Sequence, residues 1–250
     1  MRREYLVFCL VALAAVAMVL PYAISSFILT GDVRDTYLPL EGFYRHELRA
    51  GRLPFWSPRA ALGFPVLASG QMGFWYPPLF LLRALPPEPA LAIALVGHVM
   101  LLSLGTYRYA RSLGRSGEGA FLASLAFTGS GFVVGHLVHL NILFGVAWLP
   151  WILLHAERTA ERLRPSDALL TALVSALAVL GGHPQIVAMA IALALLRFVA
   201  RLRTGERGVS WQHHLWTTLL LWVPIVTGIV LLSAAPLFPT AALGGPSPRG

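Results

Sequence analysis

From Tyr5 to Thr30 the chain carries no charged residue, and Asp32, Arg34 and Asp35 follow at once. A bilayer's hydrocarbon layer of ~30 Å is crossed by about 20 helical residues. An apolar run of this length is therefore a membrane span, and inside lipid it satisfies its own backbone only as a helix. The rest of the chain has the same character. Hydrophobic residues make up 57 %, charged residues 12 % and the mean hydropathy is +0.70, whereas about a quarter of a soluble domain is charged. The expected fold class is an all-α membrane protein.

The composition excludes several functions. The single cysteine, Cys9, lies inside the first apolar run, so no intrachain disulfide and no thiol metal site can form. No zinc spacing, phosphate loop or dinucleotide fingerprint is present. All nineteen basic residues are arginine, and the net charge of +8 suits loops facing anionic lipid better than a nucleic-acid partner. Arg2 and Arg3 before the apolar run imitate a signal peptide, but the run is too long for a usual signal core and is read as a retained helix.

The arginines set the expected topology. Clusters at Arg108, Arg111 and Arg115, at Arg158, Arg162 and Arg164, and at Arg197, Arg201, Arg203 and Arg207 belong on the cytoplasmic side with Arg2 and Arg3. Even numbers of crossings between clusters then give about seven transmembrane helices. These are 1–28, one inward helix from about Pro89 to Tyr107, two helices in 119–157 turning near Gly135–Asn141, two in 166–200 turning at Gly181–Gln185, and one from about Leu215 to Ala235. The loop 29–88 and the tail 236–250 fall outside, and 89–235 holds the second to seventh helices. From Ser166 to Leu196 there are only 31 residues, against about 40 for two full spans. The turn at Gly182-His183-Pro184 is therefore expected below the membrane surface, where irregular backbone survives only inside protein or beside a wet cavity.

The polar insert Gly31–Pro78 is the part of the sequence that asks for a function. Pro39–Ala50 reads as an amphipathic interfacial helix, with Pro at its start, Gly51 past its end, Leu40, Phe43, Tyr44 and Leu48 on one face, and Glu41 paired four residues on with Arg45. Leu53–Pro78, rich in proline and glycine, reads as an irregular lid anchored at the interface by Trp56, Trp75 and Tyr76.

Several spacings in this insert occur together. They are Asp32, Tyr37 and Pro39; Gly51-Arg52-Leu53-Pro54-Phe55-Trp56-Ser57-Pro58; Gly63-Phe64-Pro65-Val66-Leu67-Ala68; Gln71; and Tyr76-Pro77. Together they resemble the signature of the YfhO-type bacterial membrane proteins, a family within the GT-C glycosyltransferases. Gly182-His183-Pro184-Gln185 resembles that family's second marker and Ala235–Thr240 its third, with Ser247-Pro248-Arg249 as the triplet that follows. Ser57 stands where Asn is usual, Arg59 where an aromatic is common, and Ala235 where Gln is usual. Members are generally two to three times this length, so the resemblance implies an N-terminal piece, the GT-C-like module.

The resemblance implies an enzyme of the bacterial inner (plasma) membrane, N-terminus cytoplasmic. It would pass a sugar from a polyprenyl-phosphate carrier to a cell-envelope glycan, lipid or protein acceptor, with inversion. Such a site needs a base for the acceptor hydroxyl and positive charge for the departing phosphate. Asp32 is implied as the base. Asp35 is a second candidate that shares a divalent cation (Mg or Mn) with Asp32 or caps the helix at Pro39. Arg59 and Arg83 are candidate phosphate clamps, and His183 is a candidate as an ionisable group in a recessed turn. Gln71 and Gln185 are candidates for sugar hydroxyls, and Trp56, Trp75 and Tyr76 for stacking on sugar or prenyl chain. His136 and His139 read as an interfacial pair without metal. The alternatives are a transporter or flippase of a lipid-linked substrate, for which matched halves and mid-membrane charges are missing, and a fragment inactive by itself.

Overall fold

A computed structural model describes residues 2–24, 30–58, 63–71, 73–204 and 211–244. Arg59 and the Ser247-Pro248-Arg249 triplet lie outside these residues. Among the described residues the regular secondary structure is all helical, apart from an isolated antiparallel bridge between Ser57 and Phe64 in the irregular part of the insert. The helices are α1 (Arg2–Ile24), α2 (Leu38–Arg49), α3 (Pro77–Leu82), α4 (Pro87–Ser112), α5 (Gly117–Thr128), α6 (Gly131–Gly135), α7 (Leu140–Arg162), α8 (Pro165–Leu180), α9 (Pro184–Thr204), α10 (Trp211–Leu232) and α11 (Ala234–Gly244). Proline opens several of them: Pro77, Pro87 and Pro165 stand in first turns, where the missing N–H has no intrahelical partner to lose.

Among the described residues, four stretches are long and apolar enough to cross a membrane: Leu6–Ile24, Pro87–Ser112, Gly117–Gly135 and Leu140–Arg162. The pair α10–α11, bent by 74°, makes a fifth if it is one span. Helices α8 and α9 fall short. The 16 residues of α8 rise only ~24 Å, and the apolar part of α9 stops at Arg197. The tail expected after Ala235 is instead helical to Gly244, because the chain turns at Ser233 and Pro236, in the first turn of α11, lacks only an N–H that has no use there.

The bundle is centred on α4 and α7. One core joins Ala15, Val19 and Ala23 of α1 to Leu91, Leu95 and Leu102 of α4 and Leu140, Leu143 and Phe144 of α7. A second joins Ile152 of α7 to Ala172 and Val179 of α8, Val187 of α9 and Ile225 of α10. The basic helix ends collect at one end of the bundle. There the Arg108 guanidinium lies 4.9 Å over the Phe8 ring of α1, and Arg197 of α9 hydrogen-bonds Glu157 of α7. At the other end are the insert and the two turns, α6–α7 and α8–α9.

The insert has its own core, and it changes one pairing expected of α2. Phe43 and Tyr44 are buried on Val66, Leu67 and Phe74, with Leu40 and Leu48 partly buried alongside, so the insert covers much of the helix's apolar face. Glu41 does not pair with Arg45. It reaches Arg83 across the insert, accepting from Nε at 2.7 Å and from Nη2 at 2.9 Å. The reason is burial: a carboxylate only 3 % exposed needs a bidentate donor at close range, and a neighbour along a solvated helix face does not supply one.

Candidate functional site

Asp32 opens the polar end of the bundle. It precedes a π-helical turn, Val33–Tyr37, that runs without a break into α2, so the carboxylate is carried by continuous helix rather than by a free loop. Its side chain is 55 % exposed, and Oδ2 lies 3.8 Å from Nε2 of His139. That is too long for a hydrogen bond. The other ring nitrogen of His139, Nδ1, is buried without a hydrogen-bond partner. His136 stands beside it, ring centroids 5.3 Å apart, donating from Nδ1 to the Phe132 carbonyl at 2.7 Å.

Tyr37 fastens this corner. Its ring is buried, and its hydroxyl accepts from the Asn141 backbone N–H at 3.0 Å. Burial pushes the phenol up to about 12, with the Asn141 bond opposing and the Asp32 charge adding to the rise. The hydroxyl therefore stays protonated and neutral beside Asp32.

The turn between α8 and α9 closes the other side. Gly182 has φ +106°, and a Cβ there would lie 2.6 Å from the Gln71 carbonyl oxygen and 3.2 Å from the Asn141 Cβ. Only glycine allows the insert, the α6–α7 turn and the α8–α9 turn to meet at this point. His183 is half-buried, its Nδ1 has no hydrogen-bond partner, and its Cβ would be 3.5 Å from a Cβ on Gly145 of α7. Thr240 of α11 reaches the same insert, donating to the Ala68 carbonyl at 2.7 Å. Stretches 32–37, 68–71, 139–141, 181–183 and 240 thus form one linked group.

The remaining sequence candidates separate. Gln71 and Gln185 are exposed. Asp35, 75 % exposed, has Oδ1 3.9 Å from Nε of Arg34. It caps no helix, because the chain is already helical at Asp32 and no turn exists for it to start. Among the described residues no three His, Cys, Asp or Glu side chains gather closely enough to hold a metal ion, so a magnesium or manganese ion shared by Asp32 and Asp35 would take its remaining ligands from water or substrate phosphate.

Two candidates have other occupations. Arg83 is buried: beyond Glu41 it donates to the Phe74 carbonyl at 2.6 Å and the Gly73 carbonyl at 3.3 Å, with the Tyr44 and Phe74 rings each 4.9 Å away. Four of its five N–H groups are held by the insert itself. Tyr76 is fully buried and stacks on Phe144 with centroids 5.4 Å apart. The Trp148 indole N–H donates to its hydroxyl at 2.7 Å, the hydroxyl donates to Nε2 of His98 at 2.5 Å, and His98 Nδ1–H donates to the Ala94 carbonyl at 2.6 Å. This chain locks the insert to α4 and α7 and leaves Tyr76 no face for a ligand. Trp56 alone of the three aromatics is well exposed, at 57 %.

The sequence reads His139 only as half of an interfacial histidine pair. Its place in the α6–α7 turn puts it at the same end as Asp32, but the contact across more than a hundred residues had no sequence signal. Compared with family models, curated proteins and solved structures, the chain matches none.

Proposed function

We propose that the chain is the GT-C-like module of a membrane glycosyltransferase, moving a sugar from a polyprenyl-phosphate carrier to an acceptor hydroxyl on the external face of a bacterial inner membrane. The observation that carries the reading is convergence. The Asp32 region, Gln71, the Gly182-His183 turn and Thr240 are far apart in sequence, belong to the three stretches that resemble the family's markers, and meet at one end of the bundle.

In this reading α8 and α9 form a short hairpin whose turn is recessed, which brings the crossings to seven with the N-terminus inside. The exposed Leu53, Phe55 and Trp56 of the insert face the membrane interface. Asp32 takes the proton from the acceptor hydroxyl as that oxygen bonds the anomeric carbon. The bond from that carbon to the carrier phosphate breaks on the opposite face, and the phosphate keeps the electron pair, giving inversion. His139, 3.8 Å from Asp32, flanks the carboxylate on the side of the α6–α7 turn. His183, with an unpartnered Nδ1 at the recessed turn, faces the departing phosphate. No metal enters this scheme, and Arg83 and Tyr76 act only by holding the insert in shape.

The test is transfer from radiolabelled polyprenyl-phosphate sugars in membranes carrying the protein against membranes lacking it. Labelled product that depends on the protein supports the reading. No product from any of several donors overturns it.

A further inference from the structure

A second face of α2 points away from the insert's core. Arg45 and Arg49 stand one turn apart there. With Leu48 and, from the α3 corner, Phe80, Arg83 and Ala84, they line an open recess of about 300 Å³. The recess carries uncompensated positive charge. Arg83 is neutralised by Glu41, and the nearest other carboxylate on α2, Glu47, takes two hydrogen bonds from Arg52. Nε of Arg45 is buried with no hydrogen-bond partner.

Two guanidinium groups lining one recess call for an anion with several acceptor oxygens. The rest of the recess calls for hydrocarbon. Leu48, Phe80 and Ala84 form its apolar wall, and Leu81 and Leu85, which follow Phe80 along the chain, are 75 % and 38 % exposed. We propose that this recess binds the phosphate of an anionic phospholipid between Arg45 and Arg49, with its acyl chains along Phe80, Leu81 and Leu85. Helical rise between residues 32 and 45 separates Arg45 from Asp32 by about 20 Å. A phosphate held here is therefore remote from the Asp32 carboxylate, and the site stands whether or not the chain transfers sugars.

The experiment titrates the purified chain in neutral detergent with dioctanoyl phosphatidylglycerol and counts bound lipid by native mass spectrometry. Dioctanoyl phosphatidylcholine keeps the phosphodiester without net charge, and inorganic phosphate keeps the anion without the tail. Phosphatidylglycerol should bind at least about ten-fold tighter than phosphatidylcholine, and inorganic phosphate should not displace it at equal concentration. Arg45→Gln with Arg49→Gln should weaken phosphatidylglycerol binding about ten-fold or more. Arg158→Gln, at the opposite end of the bundle, should leave it unchanged. Arg45→Lys with Arg49→Lys keeps the charge but loses the planar fork; it should fall between, and it carries the comparison if the glutamine pair does not fold. Equal binding by wild type and the double variants, equal binding of the two lipids, or displacement by inorganic phosphate would each overturn the assignment.

Discussion

Replacing Arg83 by Met keeps the flexible unbranched stem of the side chain and removes its charged head. Arg83 and Glu41 side chains are each 4 % exposed and meet at 2.7 Å, so the substitution strands a buried carboxylate and takes the donor from the Phe74 and Gly73 carbonyls. Breaking a buried pair from one side costs about 3–5 kcal/mol. The insert's core is small, built on Phe43, Tyr44, Val66, Leu67 and Phe74, so the cost falls on local opening of the insert rather than on the bundle. Trypsin cleavage at Arg45, Arg49 and Arg52 reads that opening when reclosing is fast. At 1.4 kcal/mol per factor of ten, cleavage should rise about 10²- to 10⁴-fold unless the insert is already fully open. Adding Glu41→Leu removes the stranded charge and should restore most of the protection. The deficit should also depend on pH. Burial raises the Glu41 carboxyl above its ordinary value, so in the Arg83→Met chain protonation relieves the penalty at low pH, and the deficit grows as pH rises beyond the normal carboxylate range. Wild-type resistance to trypsin in Arg83→Met would refute the reasoning and return Arg83 to the list of phosphate ligands.

Other residues give sharper single outcomes. Gly182→Ala puts a Cβ 2.6 Å from the Gln71 carbonyl at φ +106° and should cost about 1–3 kcal/mol in strain, seen as a lower thermal midpoint and reduced transfer together; an unchanged midpoint would mean the three segments do not meet there. Tyr76→Phe keeps the stack on Phe144 but leaves the Trp148 N–H and His98 Nε2 unpaired; about 1–3 kcal/mol should appear as loss of thermal stability, and no loss would mean the buried chain of bonds does not form. Asp35→Asn, at a side chain 75 % exposed, should leave transfer within about two-fold of wild type, well short of the 10²–10⁴-fold expected of a lost base; a larger loss would give Asp35 a part in the chemistry.

Much of the helical order was legible because hydropathy and proline act locally. The turn expected at Gly135–Asn141 overlaps the break between α6 and α7, the one expected at Gly181–Gln185 overlaps the break between α8 and α9, and α2 lies within a residue of its expected bounds. The shortness of the α8–α9 stretch was also countable in advance. Partners across the chain were not legible. Glu41 has an arginine four residues on, and that local pairing hid a better one 42 residues away. Tyr76 and Arg83 carry groups suited to ligands as well as to cores, and only burial tells the two uses apart. His139 looked like half of a histidine pair because nothing local marks its approach to Asp32. The bend after Leu232 escaped because prolines at 236 and 239 read equally as a stop or as a new first turn.

The most direct measurement is sugar transfer by wild type and Asp32→Asn at matched membrane levels, using whichever polyprenyl-phosphate donor wild type accepts. The substitution preserves shape and hydrogen bonding while removing the base. Transfer should fall by about two orders of magnitude or more, with trypsin resistance of the insert unchanged. Transfer by Asp32→Asn equal to that of wild type would contradict the role given to Asp32.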